Sequence, residues 1–337
     1  MIRVAINGFG RIGRLVFRIM EEDKDFEVVA INDLTDPEQL AYLLKYDTSH
    51  RRYRTDEISY DDEGIIVAGR KIKVYAEKEP SNLPWKELDI DEVFECTGMF
   101  TDKEKAYMHI EAGAKKVIIS APAKGDLKTI VYGVNEDTLD GSEEVISAAS
   151  CTTNCLAPVA NILNNEFGIV KGYMTTVHAY TNDQAVLDVS HKKGAKARRG
   201  RAAAANIIPS STGAATALGK VIPSLDGRLD GSALRVPVTT GSVVDLTLEF
   251  KRNVTALEIN NVFKNNQSVT LAYTEDPVVS SDIIGSSVGA LVDGLLTDVL
   301  EVDGKSLAKV IAWYDNEMGY SFQMVRTAKH LYNVSLK

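Results

Sequence analysis

The chain has 337 residues, 45% of them hydrophobic and 25% charged, a composition that excludes a disordered or fibrous protein and predicts two globular cores. A net charge of −9 argues against nucleic acid or an acidic membrane as the primary partner. Three cysteines, Cys96, Cys151 and Cys155, are too few and too odd in number for a disulfide framework, which points to a reducing setting.

In chain order, Ile2 to Asn7 is a nearly continuous apolar run, as in a strand buried on both faces. No charged and apolar leader precedes it, and no apolar stretch reaches the roughly 18 residues that span a bilayer, so the expectation is a cytoplasmic protein with no membrane partner. Ile12, Leu15, Val16 and Ile19 then recur at helical spacing. Residues 27–32 read as a second buried strand, and Thr35-Asp36-Pro37 opens a helix carrying Leu40, Leu43 and Leu44. Strand-like runs follow at 93–96, 117–120, 129–134 and 145–149. Strands interleaved with helices predict an α/β unit built on a doubly wound parallel sheet of Rossmann type over residues 1–150.

Past residue 150 the pattern changes. A helix is predicted over 152–167, bent near Pro158, and a strand over 173–180. Val244, Leu246, Leu248 and Phe250 alternate with Val243, Asp245, Thr247 and Glu249, the period of a half-buried antiparallel strand. Further strands are expected near 287–292, 299–302 and 309–314. Residues 151–315 are therefore expected to form an α+β domain on an open antiparallel sheet, and a helix over 316–337 to complete the first domain. Residues 182–201 show no period and carry many charges, and a loop of that length in a compact protein is usually functional.

Gly8-Phe9-Gly10-Arg11-Ile12-Gly13 carries the spacing G-x-G-x-x-G between a strand, ending at Asn7, and a helix. Gly8 allows the tight turn, Gly10 lets backbone approach a pyrophosphate, and Gly13 lets helix and strand pack closely. Asp33 ends the next strand, where a carboxylate binds ribose hydroxyls and repels a 2′-phosphate; the pattern selects NAD over NADP. A bare tight turn is the simpler alternative for the glycines alone.

Ser150-Cys151-Thr152-Thr153-Asn154-Cys155 stands where a strand gives way to a helix. The positive end of a helix lowers the pKa of a thiol placed there, which makes Cys151 a candidate nucleophile and leaves Cys155 facing inward. A pair of small buried hydrophobes is the alternative. The C-x₃-C spacing lacks a second ligand pair, so no metal site is expected. His178, one of five histidines, lies inside a strand and is either a satisfied core histidine or the partner of Cys151.

Taken together, Ala5 to Arg14, Ser150 to Cys155, His178-Ala179-Tyr180-Thr181, Ser211-Thr212-Gly213-Ala214-Ala215, Leu234-Arg235-Val236-Pro237 and Trp313-Tyr314-Asp315-Asn316-Glu317 resemble the glyceraldehyde-3-phosphate dehydrogenase family, over essentially the whole chain and in the family's order. The resemblance implies an NAD-dependent, phosphorylating aldehyde dehydrogenase of glycolysis. Cys151 is then the nucleophile that forms a thiohemiacetal and a thioester, and His178 the base, which with the Cys151 N–H also holds the developing oxyanion. Thr181 and Arg235 match the pocket for the phosphate of glyceraldehyde 3-phosphate. Ser150, Thr152, Arg199, Ser211, Thr212 and Gly213 match the site of inorganic phosphate, although Ser210 to Gly213 alone read as a plain helix N-cap. Asn7, Arg11, Ile12, Lys78, Thr97, Ser120, Asn316 and Tyr320 match the remaining cofactor contacts, and the long loop implies a homotetramer.

Two segments depart from the family pattern. Residues 191–201 are longer and more basic than usual, which leaves Arg198, Arg199 and Arg201 as alternatives for the phosphate ligand. Val189-Ser190 replaces a Leu-Pro common in strictly NAD-dependent members. An erythrose-4-phosphate dehydrogenase and a non-catalytic NAD-binding interaction protein are the rival readings.

Overall fold

The computed structural model describes residues 1–336 apart from 192, 193 and 195, so parts of the expected long loop and the last residue of the expected terminal helix lie outside the described residues. The chain divides into two compact units, Met1–Ser150 with Ser321–Lys337, and Cys151–Tyr320.

The first unit is built on apolar strands that the sequence leaves no polar face to expose. Ile2–Asn7 pairs in parallel with Phe26–Asn32 on one side and Glu92–Glu95 on the other, and Val4, Ala5 and Ile6 are fully buried. Lys116–Ile119 and Val145–Ser147 extend the parallel array from one edge, and Arg70–Tyr75 from the other. Gly64–Val67 and Ile58–Asp61 then fold back antiparallel. Because the central strands are parallel, their C-terminal ends share one rim, and the loops that leave them can build one site there.

Three helices intervene. Arg11–Met20 follows the glycine loop, Pro37–Lys45 starts after Asp36, whose side chain accepts from the Gln39 N–H, and Lys103–Glu111 is capped in the same way by Asp102. Residues 129–134 depart from the expected strand. The Asn135 side chain accepts from Val131 N–H at 2.8 Å and donates to Thr129 carbonyl at 2.9 Å, taking backbone groups that a strand neighbour would need, and only an isolated bridge between Thr129 and Ser147 remains. The helix Met318–Ser335 enters this unit from Ser321 onward, where Gln323 donates to the Tyr132 carbonyl at 2.9 Å and Lys329 pairs with Asp23 at 2.9 Å.

In the second unit, helix Cys151–Phe167 keeps Pro158 inside and packs on a sheet centred on Ile169–Ala179. The alternating strand Ser242–Phe250 pairs antiparallel with it and buries Val244, Leu246 and Leu248 completely. Lys305–Tyr314 continues the antiparallel order, followed by Ala290–Asp293, with Asp298–Val302 also paired to Lys305–Tyr314. Two junctions are parallel: Leu271–Thr274 with Ala290–Asp293, and Leu229–Val236 with Ile169–Ala179. The second of these aligns His178 with Arg235.

Candidate active site

The glycine loop is shaped by what a side chain would hit. Gly8 has φ of +91°, and a Cβ there would lie 2.7 Å from the Thr97 nitrogen; a Cβ on Gly13 would lie 2.1 Å from the Gly8 carbonyl oxygen. Gly10 meets nothing within 4 Å and stands at the N-cap of Arg11–Met20 without a side-chain cap, so the positive end of that helix is open to an anion. Asp33 accepts from Phe9 N–H at 2.8 Å and Thr35 N–H at 3.0 Å, which ties it to the loop. A dinucleotide with its pyrophosphate over Gly10 and a ribose at Asp33 fits this cradle. Thr97 and Ser120 lie just past the C-terminal ends of Glu92–Glu95 and Lys116–Ile119, on the same rim, and Lys78 is exposed on the loop after Arg70–Tyr75. Ile12 belongs to the first helical turn.

Two residues of the expected cofactor set have partners of their own. Arg11 holds Asp47 through both guanidinium nitrogens; burial alone would raise the Asp47 carboxyl, but Arg11 and the His50 N–H bring it to about 2. Asn7 is buried and bonded to Glu95, while Asn32 donates to its oxygen at 2.7 Å. Glu95 also accepts from Thr97 N–H at 2.8 Å and lies 3.2 Å from His109, whose other ring nitrogen accepts from Trp85 at 2.9 Å. This closed network braces the strand ends below the glycine loop. Sequence reading misses it, since Glu95, His109 and Trp85 are scattered and carry no motif.

In the second unit Cys151 is the first residue of its helix, and its sulfur lies 3.4 Å from His178 Nε2. Ala149, two residues earlier, is held at φ of +59°, the left-handed conformation a non-glycine residue rarely adopts, and its N–H donates to the Ser147 hydroxyl at 3.1 Å. His178 is buried, with Nδ1 2.6 Å from the Ala179 carbonyl. We assign the proton to Nδ1 on that contact, which leaves the Nε2 lone pair toward sulfur. The Tyr314 ring stands edge-on to His178, and its hydroxyl joins Thr152 and Thr176, each at 2.9 Å.

Burial raises the Cys151 thiol, against Arg235 and hydrogen bonds at Thr152 that pull it down. The net shift is upward, opposite to the lowering expected at a helix terminus, because burial of the sulfur outweighs the Arg235 charge and the local hydrogen bonds. Burial first, and Arg235 second, lower His178 to about 3, so the imidazole is neutral and available as a base.

Arg235 Nη1 lies 2.9 Å from His178 Nδ1 and 3.1 Å from the Thr181 hydroxyl. Arg199 donates to Ser210 at 3.3 Å and pairs with Asp183, while Arg201 pairs with Asp188 at 3.0 Å and Arg198 is exposed. Ser211 ends the strand Ile208–Ser211, and Thr212 and Gly213 follow in a turn. The helix N-cap reading of this segment holds in part: the Thr212 hydroxyl accepts from Ala214 N–H at 3.2 Å and Ala217 N–H donates to the Gly213 carbonyl at 2.9 Å, opening the turns that lead into Leu218–Val221. Ser210 and Ser211 lie in the strand paired with Leu229–Val236, and the helix's own N-cap, Ala217, makes no side-chain bond. Asn316 is buried, and its carboxamide oxygen accepts from Ser242 at 2.7 Å. Ser150 immediately precedes the thiol, and Tyr320 is buried in the terminal helix.

Comparison with known proteins decides the family. The model for the glyceraldehyde 3-phosphate dehydrogenase NAD binding domain matches residues 2–103, and that for the C-terminal domain of the same family matches residues 150–316. The chain belongs to the glyceraldehyde-3-phosphate dehydrogenase family. It is 57% identical over 335 residues to a glyceraldehyde-3-phosphate dehydrogenase of Clostridium pasteurianum, covering 99% of this chain and all of that one. It is 53% identical over 336 residues to a glyceraldehyde-3-phosphate dehydrogenase of Streptococcus pyogenes, covering 99% of each. The NAD binding domain of this glyceraldehyde-3-phosphate dehydrogenase family member lies within the first unit and contains the whole Gly8–Gly13 cradle and Asp33. Its C-terminal domain carries the Cys151–His178 pair. Among the described residues no helix is long and apolar enough to cross a membrane, and no group of His, Cys, Asp and Glu is arranged to hold a metal.

Proposed function

We propose that the chain oxidises and phosphorylates glyceraldehyde 3-phosphate to 1,3-bisphosphoglycerate in glycolysis, with NAD as cofactor and Cys151 as the covalent nucleophile. One observation carries the reading: a thiol at a helix N-terminus, 3.4 Å from a neutral imidazole nitrogen, beside a guanidinium.

Cys151 Sγ bonds to the aldehyde carbon while its proton passes to His178 Nε2 and on to the new alkoxide, giving a thiohemiacetal. The Ala179 carbonyl, accepting from Nδ1–H, steadies the imidazolium formed on the way. NAD held by the Gly8–Gly13 cradle and Asp33 would supply the hydride acceptor for this oxidation, while His178 receives the hydroxyl proton and a thioester remains on Cys151. Inorganic phosphate then attacks the thioester carbonyl; the acyl phosphate departs and the thiolate recovers its proton from His178. Thr181 and Arg235 hold the substrate's phosphate, while Ser150, Thr152, Arg199, Ser211, Thr212 and Gly213 receive the attacking phosphate. Asn7, Gly8, Gly10, Arg11, Ile12, Gly13, Asp33, Lys78, Thr97, Ser120, Asn316 and Tyr320 form the cofactor set.

A cytoplasmic homotetramer completes the reading. Val186, Leu187 and Val189 are 83%, 72% and 61% exposed on one loop, an apolar surface that a neighbouring subunit covers. The activity is tested by following reduced-cofactor absorbance with glyceraldehyde 3-phosphate while phosphate is titrated. The expected result is saturable dependence on phosphate and preference for NAD over NADP. Equal or faster turnover of erythrose 4-phosphate that ignores phosphate would replace this substrate assignment by the sister activity.

A further inference from the structure

Between the two guanidiniums assigned to phosphate lies a carboxylate that the mechanism does not use. Asp183 follows the strand Ile169–Ala179 in a turn closed by Gln184 N–H donating to the Thr181 carbonyl at 2.9 Å. Ala185 N–H donates to the Arg199 carbonyl at 3.0 Å, which brings the arms of the loop together and sets Asp183 opposite Arg199. One Asp183 oxygen accepts from the Thr181 hydroxyl and the other from Arg199 Nη1. The Thr181 oxygen in turn accepts from Arg235 Nη1 at 3.1 Å. A continuous chain of hydrogen bonds therefore runs from Arg199 through Asp183 and Thr181 to Arg235.

We propose that Asp183 is a built-in counter-ion that sets anion affinity: its carboxylate occupies the Arg199 and Thr181 donors, and a phosphate group binds by displacing it. This rests on the reading given above for Thr181, Arg199 and Arg235. A hydroxyl has a single hydrogen, so Thr181 cannot donate to Asp183 and to a phosphate oxygen together. Asp183 is half exposed, with 49% of its side chain open, so release into water costs little. Displacement of a carboxylate also discriminates by charge, since a dianion interacts with two guanidiniums more strongly than a monoanion does. A cavity of about 660 Å³ opens beside the pair, lined by Asp183, Lys196, Arg198, Arg199, Ser210 and Ser211, with room for an anion against the two arginines.

The test compares Asp183→Asn with wild type in the full-length enzyme. The Michaelis constant for inorganic phosphate is measured at saturating NAD and aldehyde, and the dissociation constant for sulfate by calorimetry. Both constants are expected to fall about two- to fivefold in Asp183→Asn, the scale of one part-exposed ion pair, and to return toward wild type in Asp183→Glu. Unchanged or raised constants in Asp183→Asn, or Asp183→Glu behaving like Asp183→Asn, overturn the proposal. Wild-type turnover that ignores phosphate defeats the functional reading instead, and the sulfate measurement then still decides the role of Asp183.

Discussion

His178 and Arg235 are register partners on adjacent parallel strands, and that pairing sets Arg235 Nη1 2.9 Å from His178 Nδ1. The guanidinium, after burial, is the second cause of the lowered imidazole pKa, and it is also the charge that most opposes the burial-driven rise of the Cys151 thiol. One cation therefore adds to burial in keeping the imidazole neutral and opposes burial at the thiol. His178→Asn removes the imidazole nitrogen that lies 3.4 Å from Cys151 Sγ. Turnover is expected to fall by about 10²–10⁴. Left with burial and no imidazole, the thiol ionises only at higher pH, so the rate of Cys151 alkylation should fall near neutrality and its profile should move to the alkaline side. Superimposable profiles for variant and wild type would mean that the two residues share no proton.

In the proposed reading, cofactor choice turns on Asp33. Because its two oxygens accept from Phe9 and Thr35 N–H groups, the carboxylate also fixes the turn of the glycine loop. Asp33→Ala should weaken NAD through both effects while relieving repulsion of a 2′-phosphate, so that the ratio of kcat/KM for NADP to that for NAD rises. Wild-type use of both cofactors at equal efficiency would show that the Val189-Ser190 departure outweighs Asp33.

Glu92 lies fully buried in the parallel sheet, and neither carboxyl oxygen has a hydrogen-bond partner among the described residues. Burial, followed by the charge of Asp91, raises its pKa well above the ordinary 4.5. The folded chain thus keeps a proton that the unfolded chain releases. Stability is fully present below about pH 4.5 and is lost as pH rises toward the folded-state pKa. Glu92→Gln should remove that loss, with a gain in Tm at alkaline pH of about 2–4 °C for each kcal/mol recovered and no gain in acid. A Tm difference that does not change with pH would contradict a protonated Glu92.

The exposed Val186, Leu187 and Val189 bear on assembly. If the proposed homotetramer forms through this loop, Leu187→Asp should dissociate it and weaken NAD binding and turnover together, as sedimentation of wild type and variant at low micromolar concentration will reveal. A fully active wild-type monomer would remove the reason given for the loop's apolar surface.

Legibility of the sequence follows the range of the forces involved. Gly8, Gly10 and Gly13 are readable because each meets a local demand, a positive φ or a close backbone approach. Cys151 is readable because a strand-to-helix change is local too. The contact of His178 with Arg235 spans 57 residues and depends on a parallel junction inside a sheet whose alternating strand reads as antiparallel. Helix Lys103–Glu111 escapes because it buries only Ala106 and His109 and so shows little apolar period. The hairpin from Gly64–Val67 to Arg70–Tyr75 turns on Ala68 and Gly69, both at positive φ, and joins a short apolar strand to one that carries charge at Arg70, Lys71 and Lys73. Asp183 offers only one signal, an acidic residue two positions after a threonine, which gains meaning once Arg199 is brought opposite it.

In the proposed reaction, oxidation leaves an acyl group on Cys151 that phosphate then removes. Mass spectrometry of the chain, quenched after mixing with NAD and glyceraldehyde 3-phosphate without phosphate, tests this directly. A single acyl adduct is expected on the peptide bearing Cys151, absent in Cys151→Ser, and discharged when phosphate is added before the quench. Continued cofactor reduction by Cys151→Ser, or an adduct confined to Cys96 or Cys155, would contradict it.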